Sequence, residues 1–89
     1  MHELIVTLNH PLGMHARPIA VWVSLAKTFA SDISVTTGGL TADGKSALQL
    51  LTLAAKYKDE LHIRTSGPDE IEALATLVAL IRNHFPQNE

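Results

Sequence analysis

The chain has no cysteine, few aromatic residues, no dense run of either charge and no long apolar stretch, and each shortage closes off a class of protein. Small secreted domains usually lean on disulfides, so a cysteine-free chain of this size is expected to work in the cytoplasm. Apolar stretches such as Ile19–Val23 are far too short to span a bilayer. Residues 1–10 lack a basic segment followed by an apolar run, so no signal peptide is expected. The basic residues Arg17, Lys27, Lys45, Lys56, Lys58, Arg64 and Arg82 are scattered, and the formal net charge is −2 with histidines neutral. A nucleic-acid partner would call for a dense basic footprint, so none is expected.

What is present is apolar. Of the 89 residues, 46% are hydrophobic, enough for one domain, residues 1–89, with a modest core, and too many for a disordered chain. Leu4, Val6 and Leu8 alternate with Ile5, Thr7 and Asn9, which reads as a strand. His10 to Met14, with Pro11 and Gly13, reads as a loop. From about Ala16 to Phe29 the pattern is helical, with Ile19, Val23 and Ala26 on one stripe widened by Ala20, Trp22 and Phe29. Trp22 there is expected to fill core rather than stack a ligand.

Ile33–Thr36 alternates again, Gly38-Gly39 suits a hairpin turn, and Leu40–Ala42 supplies a short third strand. Ser46 opens a second helix carrying Ala47, Leu48, Leu50, Leu51, Leu53 and Ala54. Lys56–Glu60 reads as a solvated turn and Leu61–Thr65 as a fourth strand. Ser66–Asp69 turns into a last helix that is expected to direct Ile71, Leu74, Val78 and Ile81 inward and to end near His84–Pro86. The order βαββαβα predicts an α+β fold, a four-stranded mainly antiparallel sheet with three helices on one face. The other face is expected to be partly solvated through Thr7, Ser34, Thr36, His62 and Arg64.

Chemistry concentrates where the first strand hands over to the first helix, at Gly13-Met14-His15-Ala16-Arg17-Pro18. Neutral imidazole is a nucleophile near physiological pH. The first N–H groups of a helix lack internal partners and form an anion site aided by the helix dipole. A phosphoryl group on His15 could therefore accept bonds from the N–H groups of Ala16 and Arg17, with the Arg17 guanidinium matching its oxygens. The dipole also disfavours protonated His15 and favours its anionic, phosphorylated form. Two helix starts are compatible with these residues: Ala16, or Pro18 with Arg17 as cap, because a residue before proline is steered from helical angles. A lone histidine before a helix is most often a weak cap or a surface residue, and Arg17 and Pro18 shift that balance only moderately.

The segment resembles the active-site signature of the HPr family, the histidine-containing phosphocarriers of the bacterial phosphotransferase system, and the similarity extends over essentially the whole chain. The resemblance implies an open-faced β-sandwich. It also implies that His15 is phosphorylated at Nδ1 by enzyme I, which draws on phosphoenolpyruvate, and that the group passes to IIA domains of sugar transporters, with Arg17 as charge partner. A cytoplasmic monomer is implied, acting as a stoichiometric carrier rather than an enzyme, with no cofactor and no metal.

Ser46 and Gln49 fit a capping box. The family resemblance adds a regulatory reading, in which a kinase/phosphorylase modifies Ser46 and the modified form binds a transcriptional regulator. Phosphate there would be favoured by the helix N-terminus and Lys45. The segment departs from the regulated pattern, however, reading Ser46-Ala47-Leu48-Gln49 where regulated members commonly read Ser-Ile-Met-Gly. Leu12, Met14, Leu48 and Leu51 are candidates for a docking patch if the two helix starts are adjacent, although Leu51 could equally be core. His2, His10, His62 and His84 show no metal-ligand spacing. A nitrogen-related or dihydroxyacetone branch of the same chemistry, a purely regulatory binding protein, and an α+β domain without phosphotransfer are the alternatives.

Overall fold

The four alternating segments pair into one open antiparallel sheet. The computed structural model describes residues 1–8, 16–53 and 58–82. Strand β4 (Glu60–Ser66) lies between β1 (His2–Thr7) and β2 (Asp32–Thr37), and β3 (Leu40–Asp43) forms the far edge. The register places Leu4, Ile63, Val35 and Ala42 in one row across the sheet. The next rows hold Ile5, His62, Thr36 and Thr41, then Glu3, Arg64, Ser34 and Asp43. Because side chains alternate along a strand, the first row faces the helices and the other two face outward. The outward rows carry their own cross-strand pairs: Arg64 Nε donates to Glu3 Oε1 at 2.9 Å, and the hydroxyls of Thr36 and Thr41 lie 2.9 Å apart. Thr7, Ser34, Thr36, His62 and Arg64 are exposed or half-buried, as the alternation predicts. Gly38 and Gly39 turn β2 into β3 with φ of 58° and 80°, the doubly positive pair that a tight hairpin needs.

Helices α1 (Ala16–Ala26), α2 (Ala47–Leu53) and α3 (Glu70–Arg82) cover the inner face. Helix α3 packs on β1 and β4, α2 on β3 and β2, and α1 against both other helices. Trp22 is fully buried, and its Nε1–H donates to the Gly44 carbonyl at 2.9 Å. That bond satisfies the indole's one polar group and ties α1 to the turn before α2. Gly44 is required there by space, since a Cβ would stand 2.4 Å from Ile33 Cγ2.

Four expectations need correction. Helix α1 ends at Ala26 rather than near Phe29. Its last turn tightens, with Thr28 N–H and Phe29 N–H donating three residues back to Leu25 and Ala26 and the Thr28 hydroxyl also reaching the Leu25 carbonyl. Ile71 points outward and is 65% exposed; Ala73, Leu74, Leu77, Val78 and Ile81 supply the buried stripe of α3. Of the expected solvated turn, Lys58 is an exposed turn residue, but Glu60 already belongs to β4, and the backbone pairs with β1's end: Lys58 N–H donates to Leu8 O at 2.8 Å and Leu8 N–H to Asp59 O at 2.9 Å, continuing the β1–β4 ladder. The capping box at Ser46 is half formed, as described below. Ala54, Lys56, Tyr57 and the residues His84–Pro86, where the last helix is expected to end, lie outside the described residues.

The start of α3 is clasped to the end of the α1–β2 connection. Asp69 accepts the N–H groups of Ala30 and Ser31, each at 2.9 Å, and the Ser31 hydroxyl. Chiefly the Ser31 hydroxyl, then the Ala30 N–H, hold its carboxyl below the ordinary value. Gly67 sits against this clasp, where a Cβ would lie 2.7 Å from Ser31 Cα. The neighbouring Glu70 accepts Gly67 N–H at 3.0 Å, the amino group of Met1 at 3.0 Å and His2 Nδ1. Its carboxyl is lowered to about 2, first by the Gly67 N–H, then by the amino group and His2.

A carboxyl depressed on folding contributes stability above its unfolded value and loses it as pH falls through the folded one. Acid unfolding should therefore draw on Glu70 from the ordinary carboxylate range of 4.5 down to about 2. Glu70→Gln should lower stability at neutral pH and flatten its decline across that window; urea midpoints measured at several pH values check this.

Candidate functional site

Helix α1 begins at Ala16, which decides between the two starts left open by Pro18. Pro18 then lies in the first turn, where a missing N–H removes no helical bond, and its ring is fully buried. Burial of Pro18, Ile19 and Trp22 fixes the helix axis and keeps Arg17, next in the same turn, at the surface. The N–H groups of Ala16 and Arg17 are thus first-turn donors. His15, the expected phosphoacceptor, and Leu12 and Met14 of the expected docking patch lie outside the described residues.

Electrostatics separates the helix starts. Helix α3 carries Glu70 and Glu72 in its first turn, whereas α1 and α2 carry no acidic residue there. Acidic side chains in a first turn offset the positive end of the dipole. That end is left uncompensated by α1's own first-turn side chains, and Arg17 adds to it.

Ser46 caps α2 as its sequence predicts: Gln49 N–H donates to the Ser46 hydroxyl at 3.2 Å. The reciprocal arm goes elsewhere. Gln49 Oε1 accepts Asp43 N–H at 2.9 Å, while Ser46 N–H donates to the Asp43 carbonyl at 3.1 Å. Lys45, expected to favour a phosphate on Ser46, donates through Nζ to the Phe29 carbonyl at 2.7 Å. Beside Gln49 and Thr52, the exposed surface of α2 includes two large apolar side chains. Leu48 is 76% exposed and Leu51 is 45% exposed, three residues apart and so on one face, while Leu50 takes the core position. The choice left open for Leu51 is thereby decided in favour of the surface.

Among the described residues, no group of three or more His, Cys, Asp or Glu is placed to hold a metal ion, and no helix is long and apolar enough to cross a membrane. The Asp69–Ser31 and Glu70–His2 contacts were not legible from spacing, since their partners stand 38 and 68 positions apart. Ser46→Ala should cost about 1 kcal/mol through loss of the cap, measured by urea unfolding, with Ser46→Asp, an equally good cap, close to the parent.

Comparison with known proteins places this geometry. A family model described as the PTS HPr component phosphorylation site matches residues 3–83. Phosphocarrier protein HPr of Cupriavidus necator is 39% identical over 83 residues, covering 93% of each chain. The solved structure of HPr-C-His from Thermoanaerobacter tengcongensis superposes with a TM-score of 0.94 at 30% identity over the full length of both chains. Crh, the catabolite repression containing protein of Bacillus subtilis, superposes at 0.76 with 34% identity over 86% of this chain and 88% of its own. With the open-faced sheet, the three helices on one face and the matched phosphorylation-site model together, the chain belongs to the HPr family, the phosphocarriers of the phosphotransferase system.

Proposed function

We propose that this phosphocarrier accepts a phosphoryl group from enzyme I on His15 Nδ1 and passes it to IIA domains. The observation that carries the reading is the start of α1 at Ala16, immediately after His15 in the chain, with no acidic residue in its first turn. A new bond forms between Nδ1 and phosphorus as the N–P bond of a phosphohistidine on enzyme I breaks and its electron pair returns to that imidazole. Positioning and charge do most of the work in such a transfer. The Ala16 and Arg17 N–H groups and the Arg17 guanidinium are assigned to the phosphoryl oxygens. Leu48 and Leu51, with Leu12 and Met14 from the loop, are assigned to docking. One carrier must engage a donor and an acceptor in turn, which favours small, short-lived interfaces.

Intact mass after mixing the chain with phosphoenolpyruvate, magnesium and enzyme I should show one acid-labile phosphoryl group, absent from His15→Ala. An unlabelled parent beside a labelled control HPr would refute the assignment. Arg17→Ala should slow transfer about ten- to hundredfold, the equivalent of one charge-assisted hydrogen bond of about 1.5–3 kcal/mol, with little change in unfolding midpoint because Arg17 is at the surface.

A second reading follows from the likeness to Crh, a catabolite repression protein: regulation by phosphorylation of Ser46 and binding of a transcriptional regulator. Against it stand the Ser46 hydroxyl's role as a cap and the Lys45 contact with Phe29. Incubation with ATP and a bifunctional HPr kinase separates the readings, a mass increase lost in Ser46→Ala supporting regulation and no increase removing it.

A further inference from the structure

The two edges of the sheet are treated differently. On β3 the outward N–H of Asp43 donates to Gln49 Oε1 and the Asp43 carbonyl accepts Ser46 N–H, so the start of α2 covers that edge. On β1 the direction of each backbone group follows from Leu8, whose N–H and C=O both bond to the Lys58–Asp59 segment. Backbone groups alternate along a strand, so those of His2, Leu4 and Val6 point to β4 and those of Glu3, Ile5 and Thr7 point away. Among the described residues no strand pairs with β1 on that side. Lysine, proline and a bulge commonly protect such an edge, and β1 has none of them. Its one acidic residue, Glu3, is engaged by Arg64 of β4.

Three large apolar side chains flank the open groups. Leu4 is 43% exposed although it faces the helices, Ile5 is 53% exposed on the outer face, and Ile71 of α3 is 65% exposed. Ile71 lies half a circumference round α3 from Leu80, which lines the groove against α1. Helix α1 also packs on α2, which covers β2 and β3, so the opposite flank of α3, with Ile71, overlooks the β1 edge.

We propose that this edge pairs with the same edge of a second copy of the chain, β1 antiparallel to β1 about a two-fold axis at Ile5. That register sets Ile5 against its own copy, Glu3 against Thr7 and Leu4 against Val6, and bonds every outward N–H and C=O of Glu3, Ile5 and Thr7. No charge meets a like charge. A shift of two residues either way sets one of the three against a residue outside β1. The helices fit the same arrangement. Helix α3 is seated over both β1 and β4, and neighbouring strands are about 4.8 Å apart. The two copies of α3 therefore run about 10 Å apart, near the packing distance of two helices, and Ile71 and Leu4 become covered. An isolated extended peptide would pair the backbone but leave Ile71 in water, which is why the edge is assigned to a second copy. Leu48 and Leu51, on the helix over β2 and β3, stay accessible in the pair.

Sedimentation velocity of the 89-residue chain from about 10 μM to about 1 mM, the range of a small and weak interface, should show a monomer–dimer equilibrium. The dimer should dissociate promptly on dilution, because no chain segment is exchanged. Residue-resolved hydrogen exchange locates the contact: the amides of Glu3, Ile5 and Thr7 should gain protection as concentration rises. Ile5→Lys sets two cations against each other and should weaken the dimer about tenfold or more. Ile71→Lys should weaken it too, which pairing through the backbone alone would not predict. Both side chains are exposed, so the variants retain the fold, which circular dichroism verifies. A monomer at the highest concentration, edge amides indifferent to concentration, or a dimer that both variants leave unchanged would each overturn the proposal.

Discussion

Strand β4 is hydrogen-bonded on both sides, and the arrangement of the rest follows from that. Its alternation of Leu61, Ile63 and Thr65 against His62 and Arg64 must satisfy two registers at once, with β1 and with β2. A slip of one residue would turn the buried set to water and bring an imidazole and a guanidinium under the helices. With β4 fixed, Val6 and Val35 fall on the same inner face, and α3 finds its floor on β1 and β4. Helix α1 is then held from two directions, by packing against both other helices and by the Trp22 bond to Gly44. The first turn of α1, and with it Arg17, inherits its position from that support.

The helix starts divide two electrostatic tasks. Helix α3 has its own acids, and Asp69 and Glu70 spend their charge on holding chain segments together, at Ala30 and Ser31 on one side and at Gly67, Met1 and His2 on the other. Helix α1 carries none in its first turn. A carrier of a transferable anion benefits from that division, because an acid beside the phosphoryl group would repel it while an acid at a distant helix start stabilises the fold. Helix α2 is an intermediate case. It too lacks acid, but Ser46 caps its Gln49 N–H and Lys45 is anchored to Phe29, and its exposed Leu48 and Leu51 offer apolar surface.

Much of this was legible in the sequence, for local reasons. Alternation marked each strand because one sheet face meets the core and the other meets water. Gly38-Gly39 marked the hairpin because only such residues take two successive positive φ values readily. Ser46 marked a helix start through its short side chain. Trp22 was legible as core, but its partner Gly44 was not. Ile71 misled because α3 is apolar around much of its circumference: packing against β1 and β4 keeps Leu74, Val78 and Ile81 inside as expected, adds Ala73 and Leu77, and leaves Ile71 at the surface. At Lys58–Glu60 the charged side chains correctly spoke for solvent, with Lys58 and Glu60 exposed, but they gave no sign that the backbone extends the β1–β4 ladder.

The sequence by itself determined the order of elements and the two faces of the sheet, because these depend on periodicity and on residues adjacent in the chain, and it carried the family resemblance in the run Gly13–Pro18. Tertiary structure decided what depends on distance through space. It chose Ala16 as the start of α1, since burial of Pro18 and Ile19 outweighs the bias against helical angles before proline. It left Leu51 at the surface and Leu50 inside. It also sent the carboxylates of Asp69 and Glu70 to partners 38 and 68 residues away, a choice made by the packing of α3 over β1 and by the approach of its first turn to Ser31, neither of which a linear pattern encodes.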